Sequence, residues 1–278
     1  MPATALALVL AAAVLHASWN VLAKRAAGSG PAFVWLVDVG SAVLWAPAAV
    51  VVAVVARDDI GWAGVLFMAG SGVLHTGYFL FLQLGYRTGD LSAVYPVARG
   101  VGPLLATAGA IALLDERPSG LALVGALLVC GGVLVLARSG PGVGAGVLTG
   151  VFIAAYTLWD AHAVAGLGMP AVVYAWGTTV AESMLLTPAA SRRRAAVRST
   201  WAEHRREVLG VALLSPLAYV LVLVALTLAP VSSVAPAREL SIVLGAVLGG
   251  RLLGEPDPRR RLAAAATVAL GVVALTLS

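Results

Sequence analysis

The chain alternates long apolar runs with short polar breaks. The runs cover residues 4–23, 33–56, 62–86, 91–114, 121–137, 143–165, 171–189, 208–228, 231–252 and 262–277. Crossing a hydrocarbon core of about 30 Å takes about 20 helical residues, and backbone groups in lipid must bond within their own segment, so the runs predict ten transmembrane α-helices. The pattern lacks the short alternating strands of a membrane barrel. The breaks carry turn or charge signals, among them Gly28-Ser29-Gly30-Pro31, Arg87-Thr88-Gly89-Asp90 and Asp115-Glu116-Arg117-Pro118-Ser119. The first run has no basic stretch ahead of it and continues through Trp19-Asn20 to Lys24-Arg25, so it reads as a retained span, not a cleaved leader. Residues 139–146, SGPGVGAG, are followed by no Lys-Ser/Thr pair, and read as a linker entering a closely packed helix. The longest polar stretch, 191–207, reads as a solvated, partly helical loop that fixes orientation.

One stretch occurs twice. SAVYPVARGVGPLLATAGAIALLDE, residues 92–116, is matched by SSVAPARELSIVLGAVLGGRLLGE, residues 232–255. Ser92, Val94, Pro96 and Arg99 correspond to Ser232, Val234, Pro236 and Arg238, and Glu116 corresponds to Glu255. The match reaches further, since His16, Trp19 and Asn20 stand 140 positions before Tyr156, Trp159 and Asp160. Two halves of five spans each follow, 1–140 and 141–278, together one transmembrane domain. An odd number of spans per half turns the second copy upside down, the inverted-repeat architecture of many secondary transporters.

Composition agrees with this class. Of 278 residues, 60% are hydrophobic and 11% charged, against about 25% charged in a soluble domain. The net charge of +5 lies in short loops, which fits topology control and an anionic bilayer surface and argues against a nucleic-acid partner. Cys130 is the single cysteine, which excludes an intramolecular disulfide, and it reads as a small packing residue.

Charges inside apolar runs are costly and usually functional. Asp38, Arg99, Asp160, Glu182, Arg238 and Glu239 are such charges. Arg99 and Arg238 carry planar forks suited to a carboxylate or phosphate, and the repeat sets them on opposite sides of one expected cavity. The alternative is structural: Arg238 paired with a carboxylate of its own or a neighbouring helix, Arg99 with Asp160 or Glu182. Asp160, whose counterpart Asn20 has the same shape without the charge, is the better proton-coupling candidate, with Glu182 second; a helix–helix hydrogen bond would equally explain Asp160. His75 and Tyr78 share a helical face, Tyr219 on the eighth run is the approximate counterpart of Tyr78 and Phe79, and with Tyr95 they are candidate substrate contacts. Trp19, Asn20, Trp159 and Trp176 are candidates for the cavity wall, although tryptophan near span ends also anchors at the interface. Pro96 and Pro236 each remove a backbone donor and are candidate hinges. Gly146/Gly150 and Gly245/Gly249, spaced four apart, suit close helix packing. No cluster has metal-ligand spacing and no Ser/His/Asp order supports a nucleophile, so neither an enzyme, a metal nor a cofactor is expected.

The Trp19-Asn20 and Trp159-Asp160 pairs, the proline-containing fourth spans, and Glu116 and Glu255 followed by Pro118 and Pro256 resemble EamA-type members of the drug/metabolite transporter superfamily. The resemblance covers the whole chain. It implies a ten-helix carrier, commonly an exporter of amino acids and related metabolites, with a cavity lined by the first, third, fourth, sixth, eighth and ninth spans. The small four-helix multidrug relatives carry an essential glutamate in the first span. Here that span has no acidic residue, which argues against an exchange built on such a glutamate.

The expected function is therefore export of a small polar or amphipathic metabolite by alternating access, with protons as a candidate coupling ion and either a monomer or a homodimer as the working unit. A carrier of phosphorylated, nucleotide-linked or lipid-linked sugars is the alternative, and a non-transporting membrane scaffold the alternative of another class. The expected location is the plasma (inner) membrane. With ten spans, the side holding both termini receives only Arg57 and Arg117 and the other basic residues of the breaks fall on the opposite side, so the positive-inside rule puts both termini outside.

Overall fold

The computed structural model describes residues 1–26, 29–56, 60–88, 91–137, 140–241 and 258–278. Among them stand ten α-helices and no strand. These are α1 (Ala3–Arg25), α2 (Gly30–Val55), α3 (Trp62–Thr88), α4 (Leu91–Leu113), α5 (Gly120–Val135), α6 (Val143–Ala161), α7 (Ala171–Arg192), α8 (Arg194–Leu228), α9 (Val231–Ala237) and α10 (Pro258–Leu277). Gly28, Arg57, Arg138, Gly245, Gly249, Arg251, Glu255 and Pro256 lie outside the described residues, as does the end of the expected ninth run.

The helix limits follow local chemistry. The Ser119 hydroxyl accepts from the Ala122 N–H at 3.1 Å and caps α5. Gly142, at φ 87°, turns the chain in the left-handed region and lets α6 begin one residue later. Past Ala161, α6 widens into a π-helical turn, His162–Gly166. Residues 191–207 are more ordered than expected: α8 starts at Arg194 and breaks at His204 (φ −125°, ψ 23°), so a short exposed helix carrying Arg194 and Arg198 leads into the apolar part.

Six helices are long and apolar enough to cross a membrane: α1, α2, α3, α4, α6 with its π turn, and α8. Gly120–Val135 and Leu262–Leu277 are shorter apolar helices. Of the ten expected spans, α7 and α9 fall outside both groups, α7 because Thr178, Thr179, Glu182, Ser183 and Thr187 dilute its apolar character, α9 because it runs for seven residues only, to Ala237, where the chain turns at Arg238-Glu239. Large apolar side chains such as Val54, Leu66, Leu113 and Leu270 stand exposed on the outside of the bundle. In a soluble protein such a surface would be an aggregation hazard; around a membrane bundle it is the lipid face.

The principal helix pairings are α4 with α6, α1 with α8, α5 with α10, α3 with α6 and α7, and α2 with α7 and α8. Close crossings rest on glycine. A Cβ on Gly125 of α5 would stand 2.8 Å from the Gly271 carbonyl oxygen of α10, and one on Gly271 would stand 2.7 Å from that of Gly125. Gly146 and Gly150 of α6 face the backbone of α4 in the same way, at 2.9 Å from the Val94 oxygen and 3.1 Å from the Gly102 nitrogen. Small residues thus substitute for the hydrophobic effect, which lipid does not supply between helices.

Two polar side chains tie element ends together. Glu116, just after α4, accepts from the Val231 and Ser232 N–H groups at 2.6 and 3.0 Å and caps the start of α9. At the start of α10, Arg260 donates to the carbonyls of Val135 and Ala137 at 2.6 Å each, satisfying the exposed end of α5.

Candidate functional site

A cavity of about 240 Å³ opens among α1, α2, α3, α4, α6, α7 and α8, with Arg238 beyond the end of α9 also on its wall. It is lined by six of the residues singled out as substrate contacts, Arg99, Arg238, Trp19, His75, Tyr78 and Tyr219, and by the proton candidate Glu182. The helices α2 and α7, absent from the expected lining, contribute Asp38 and Ser41, and Thr178, Thr179 and Glu182.

The arginines do not stand on opposite sides. Arg99 Nε lies 2.8 Å from Glu239 Oε2, and Arg238 Nε lies 3.4 Å from Glu239 Oε1, so one buried carboxylate holds both. The Arg99 N–H is not aimed along its contact, which is therefore ionic and not a directed hydrogen bond. Arg99 is thus paired with neither Asp160 nor Glu182. Arg99 is 4% exposed and Glu239 fully buried, whereas Arg238 reaches the cavity, its Nη2 3.4 Å from both the Tyr156 and Thr157 hydroxyls and its Cζ 5.7 Å from the Tyr156 ring centroid. The three charges sum to one positive charge facing the cavity, over an aromatic ring that also favours a cation.

From Arg238 the wall passes over Tyr156 to His75, whose rings stack at 4.0 Å, and His75 Nδ1 then lies 3.9 Å from Glu182 Oε1. Carboxylates of α2 and α7 and the arginines of α4 and just beyond α9 therefore share one chamber, separated by aromatic rings.

Asp160 lies behind this wall, 1% exposed. Its Oδ1 accepts from the Ser71 hydroxyl at 2.6 Å and the Tyr174 hydroxyl at 2.8 Å, and its Oδ2 accepts from the Tyr219 hydroxyl at 2.6 Å. Three neutral donors from three helices hold it, an arrangement that serves a structural hydrogen bond and a proton site alike.

Other candidates stand apart. Asn20 donates to the His16 carbonyl of its own helix at 2.7 Å. Trp159 stacks on Phe67 at 4.3 Å, donates to the Phe67 carbonyl at 2.8 Å, and is 37% exposed, away from the cavity. Trp176 donates to the Ala42 carbonyl at 2.8 Å. Tyr95 is half-buried among apolar neighbours. α4 continues through Pro96 to Leu113, whereas α9 ends one residue after Pro236. Cys130 is buried as a packing residue. The site residues that sequence reasoning passed over are Ser71, Tyr156 and Tyr174. Tyr156 was traceable as the repeat counterpart of His16, and Ser71 as the residue one turn before His75; nothing in the sequence marks Tyr174.

The described residues form a ten-helix bundle around a polar cavity, and a solved crystal structure of a protein shares this fold. That structure aligns over 100% of this chain and 98% of its own at a TM-score of 0.76, with 17% identity, which is a likeness of fold. No curated protein matches the chain. Residues 140–277 match the EamA-like transporter family. Through this half the chain belongs to the EamA-like transporter family, within the drug/metabolite transporter superfamily, and is a multi-pass membrane protein.

Proposed function

We propose that the protein is a secondary transporter that exports small polar or amphipathic, amino-acid-like metabolites by alternating access. The observation that carries this reading is the composition of the cavity, with one surplus positive charge at the Arg99–Glu239–Arg238 cluster and the carboxylates Asp38 and Glu182 elsewhere on the same wall. A ligand bearing both charges finds a partner for each. The volume, below the about 300 Å³ at which drug-sized pockets begin, suits a small metabolite. In this reading Arg238, His75, Tyr78, Tyr219 and Trp19 contact the substrate and Arg99 holds the cluster in place.

Two inverted five-helix halves, 1–140 and 141–278, are the architecture that goes with this mechanism. The helix pairings support it. The third helix of each half packs on the first two of the other, α3 on α6 and α7, α8 on α1 and α2. Under such symmetry α2 pairs with its own counterpart α7, and α5 with α10, as they do here. The plasma (inner) membrane is the proposed location, and the arginines exposed around the α7–α8 junction support an orientation with both termini outside. Reporter fusions at Ser278 active only in the cytoplasm would reverse that orientation.

A second reading, a carrier of phosphorylated or sugar-linked anions, is favoured by the paired guanidinium groups alone. Proteoliposomes loaded with a metabolite panel test both. Efflux of zwitterionic amino acids, competed by other amino acids and not by phosphorylated sugars, is the expected result; the reverse competition pattern selects the second reading, and no flux for any solute leaves a membrane scaffold.

A further inference from the structure

Between the cavity and the buried Asp160 lies one continuous set of polar contacts. His75, on the cavity wall, has its Nδ1 3.2 Å from the Ser71 hydroxyl and 3.0 Å from the Ser71 carbonyl oxygen. The Ser71 hydroxyl is in turn 2.6 Å from Asp160 Oδ1. Ser71 has one hydroxyl hydrogen, and the short contact to a carboxylate takes it. The Ser71 oxygen is then an acceptor toward His75, and so is the Ser71 carbonyl, so Nδ1 carries the hydrogen. This leaves Nε2 as the basic nitrogen of the ring. Polar groups in line from a water-accessible chamber to a carboxylate with no cation in salt-bridge range among the described residues are what proton transfer over a distance requires.

We infer that His75 and Ser71 form a proton link through which Asp160 exchanges its proton with the cavity. Nε2 binds a proton from cavity water, the Nδ1–H bond breaks toward Ser71 Oγ, the original Ser71 O–H bond breaks toward Asp160 Oδ1, and a neutral carboxylic acid forms. His75 is left protonated at Nε2 alone, and Ser71 regains its hydroxyl. Rotation of the imidazole and the reverse steps reset the link. Glu182, 3.9 Å from Nδ1, offsets the charge of the transient imidazolium. The groups facing His75 from the surrounding elements are Tyr156 of α6, Tyr219 of α8, Glu182 of α7 and Arg238 beyond α9. Tyr78 of its own helix, His16 of α1, Asp38 of α2 and Arg99 of α4 share the cavity. Facing Asp160 are Tyr174 and Tyr219. Of the three hydroxyls that donate to the carboxylate, Ser71 is the one in hydrogen-bond distance of the imidazole on the cavity wall.

This inference rests on the transporter reading for its purpose, and its test does not require transport. The full-length protein, purified in detergent, is subjected to a pH jump, and the carboxyl band that Asp160→Asn removes is followed by time-resolved infrared spectroscopy. Ser71→Ala and His75→Gln should each slow the change of that band about tenfold or more and leave its endpoints in place. The glutamine keeps a donor toward the Ser71 carbonyl but carries no titrating nitrogen, so it tests the link even where Ser71→Ala does not fold. A band in the parent that ignores pH, or one that changes in both variants at the parent rate, overturns the link. Absence of solute flux in proteoliposomes, with the infrared result as expected, counts against the transporter reading and leaves the link standing.

Discussion

Arg99 and Glu239, from α4 and the residues just after α9, form a buried ion pair with Nε and Oε2 2.8 Å apart, and the same carboxylate reaches Arg238 at 3.4 Å. Removing one member of such a pair leaves a buried charge without compensation, which costs about 3–5 kcal/mol. Glu239→Ala is expected to lower the thermal unfolding temperature of the purified protein more than any other single change at the cavity. Arg99→Ala combined with Glu239→Ala should recover part of that loss, because the double variant buries neither charge.

Arg238 sits at the cavity edge of the same cluster and has the Tyr156 and Thr157 hydroxyls as further partners. Arg238→Ala is expected to reduce solute efflux from proteoliposomes at least about tenfold, the loss of one charge-assisted contact of about 1.5 kcal/mol or more. Unfolding measurements should place it closer to the parent than Glu239→Ala. Parent-like efflux from Arg238→Ala would remove the residue from substrate recognition.

Asp160 is held by three hydroxyl groups, so asparagine fits the same space without a titrating proton. Asp160→Asn is expected to insert normally and to lose dependence of flux on a pH gradient. Unchanged coupling would assign Asp160 to helix–helix bonding alone.

The Gly125–Gly271 crossing allows no side chain, since a Cβ on either would meet the other's backbone oxygen. Gly125→Leu and Gly271→Leu are each expected to destabilise the bundle by more than about 1–3 kcal/mol, the usual cost of overpacking, because backbone and not a flexible side chain must move. Gly144, with open space around it, serves as the neutral comparison for alanine substitution.

Glu116 accepts two N–H groups at the start of α9. Glu116→Ala should cost about 1 kcal/mol or somewhat more, as for the loss of an N-terminal cap. Hydrogen exchange at Val231 and Ser232 is expected to rise, and Glu116→Gln, which keeps one acceptor, should fall between the variant and the parent.

Span limits were legible because they depend on runs of apolar residues and on breaks, and the observed starts of α3, α4, α6 and α7 at residues 62, 91, 143 and 171 coincide with the expected ones. The stretch 191–207 was less legible, since its arginines suit an exposed helix and an exposed loop equally well. At the candidate site, the charges of the cavity could be named in advance, while their partners could not. Arg99 had Asp160 and Glu182 as plausible carboxylates, and Glu239, next to Arg238 in the chain, is the one it meets.

By itself the sequence determined that this chain resides in a membrane, where most of its helices begin, and that arginines and carboxylates lie inside apolar runs. Those properties follow from local composition, because burial of polar backbone in lipid forces helices wherever the chain is apolar enough. Tertiary structure decided that both arginines share Glu239, that α2 and α7 bring Asp38 and Glu182 to the cavity, and that Asp160 is held by hydroxyl groups behind His75. Helical periodicity sets which residues share a face, but the packing of one helix against another sets which faces meet, and small residues far from the site govern that packing.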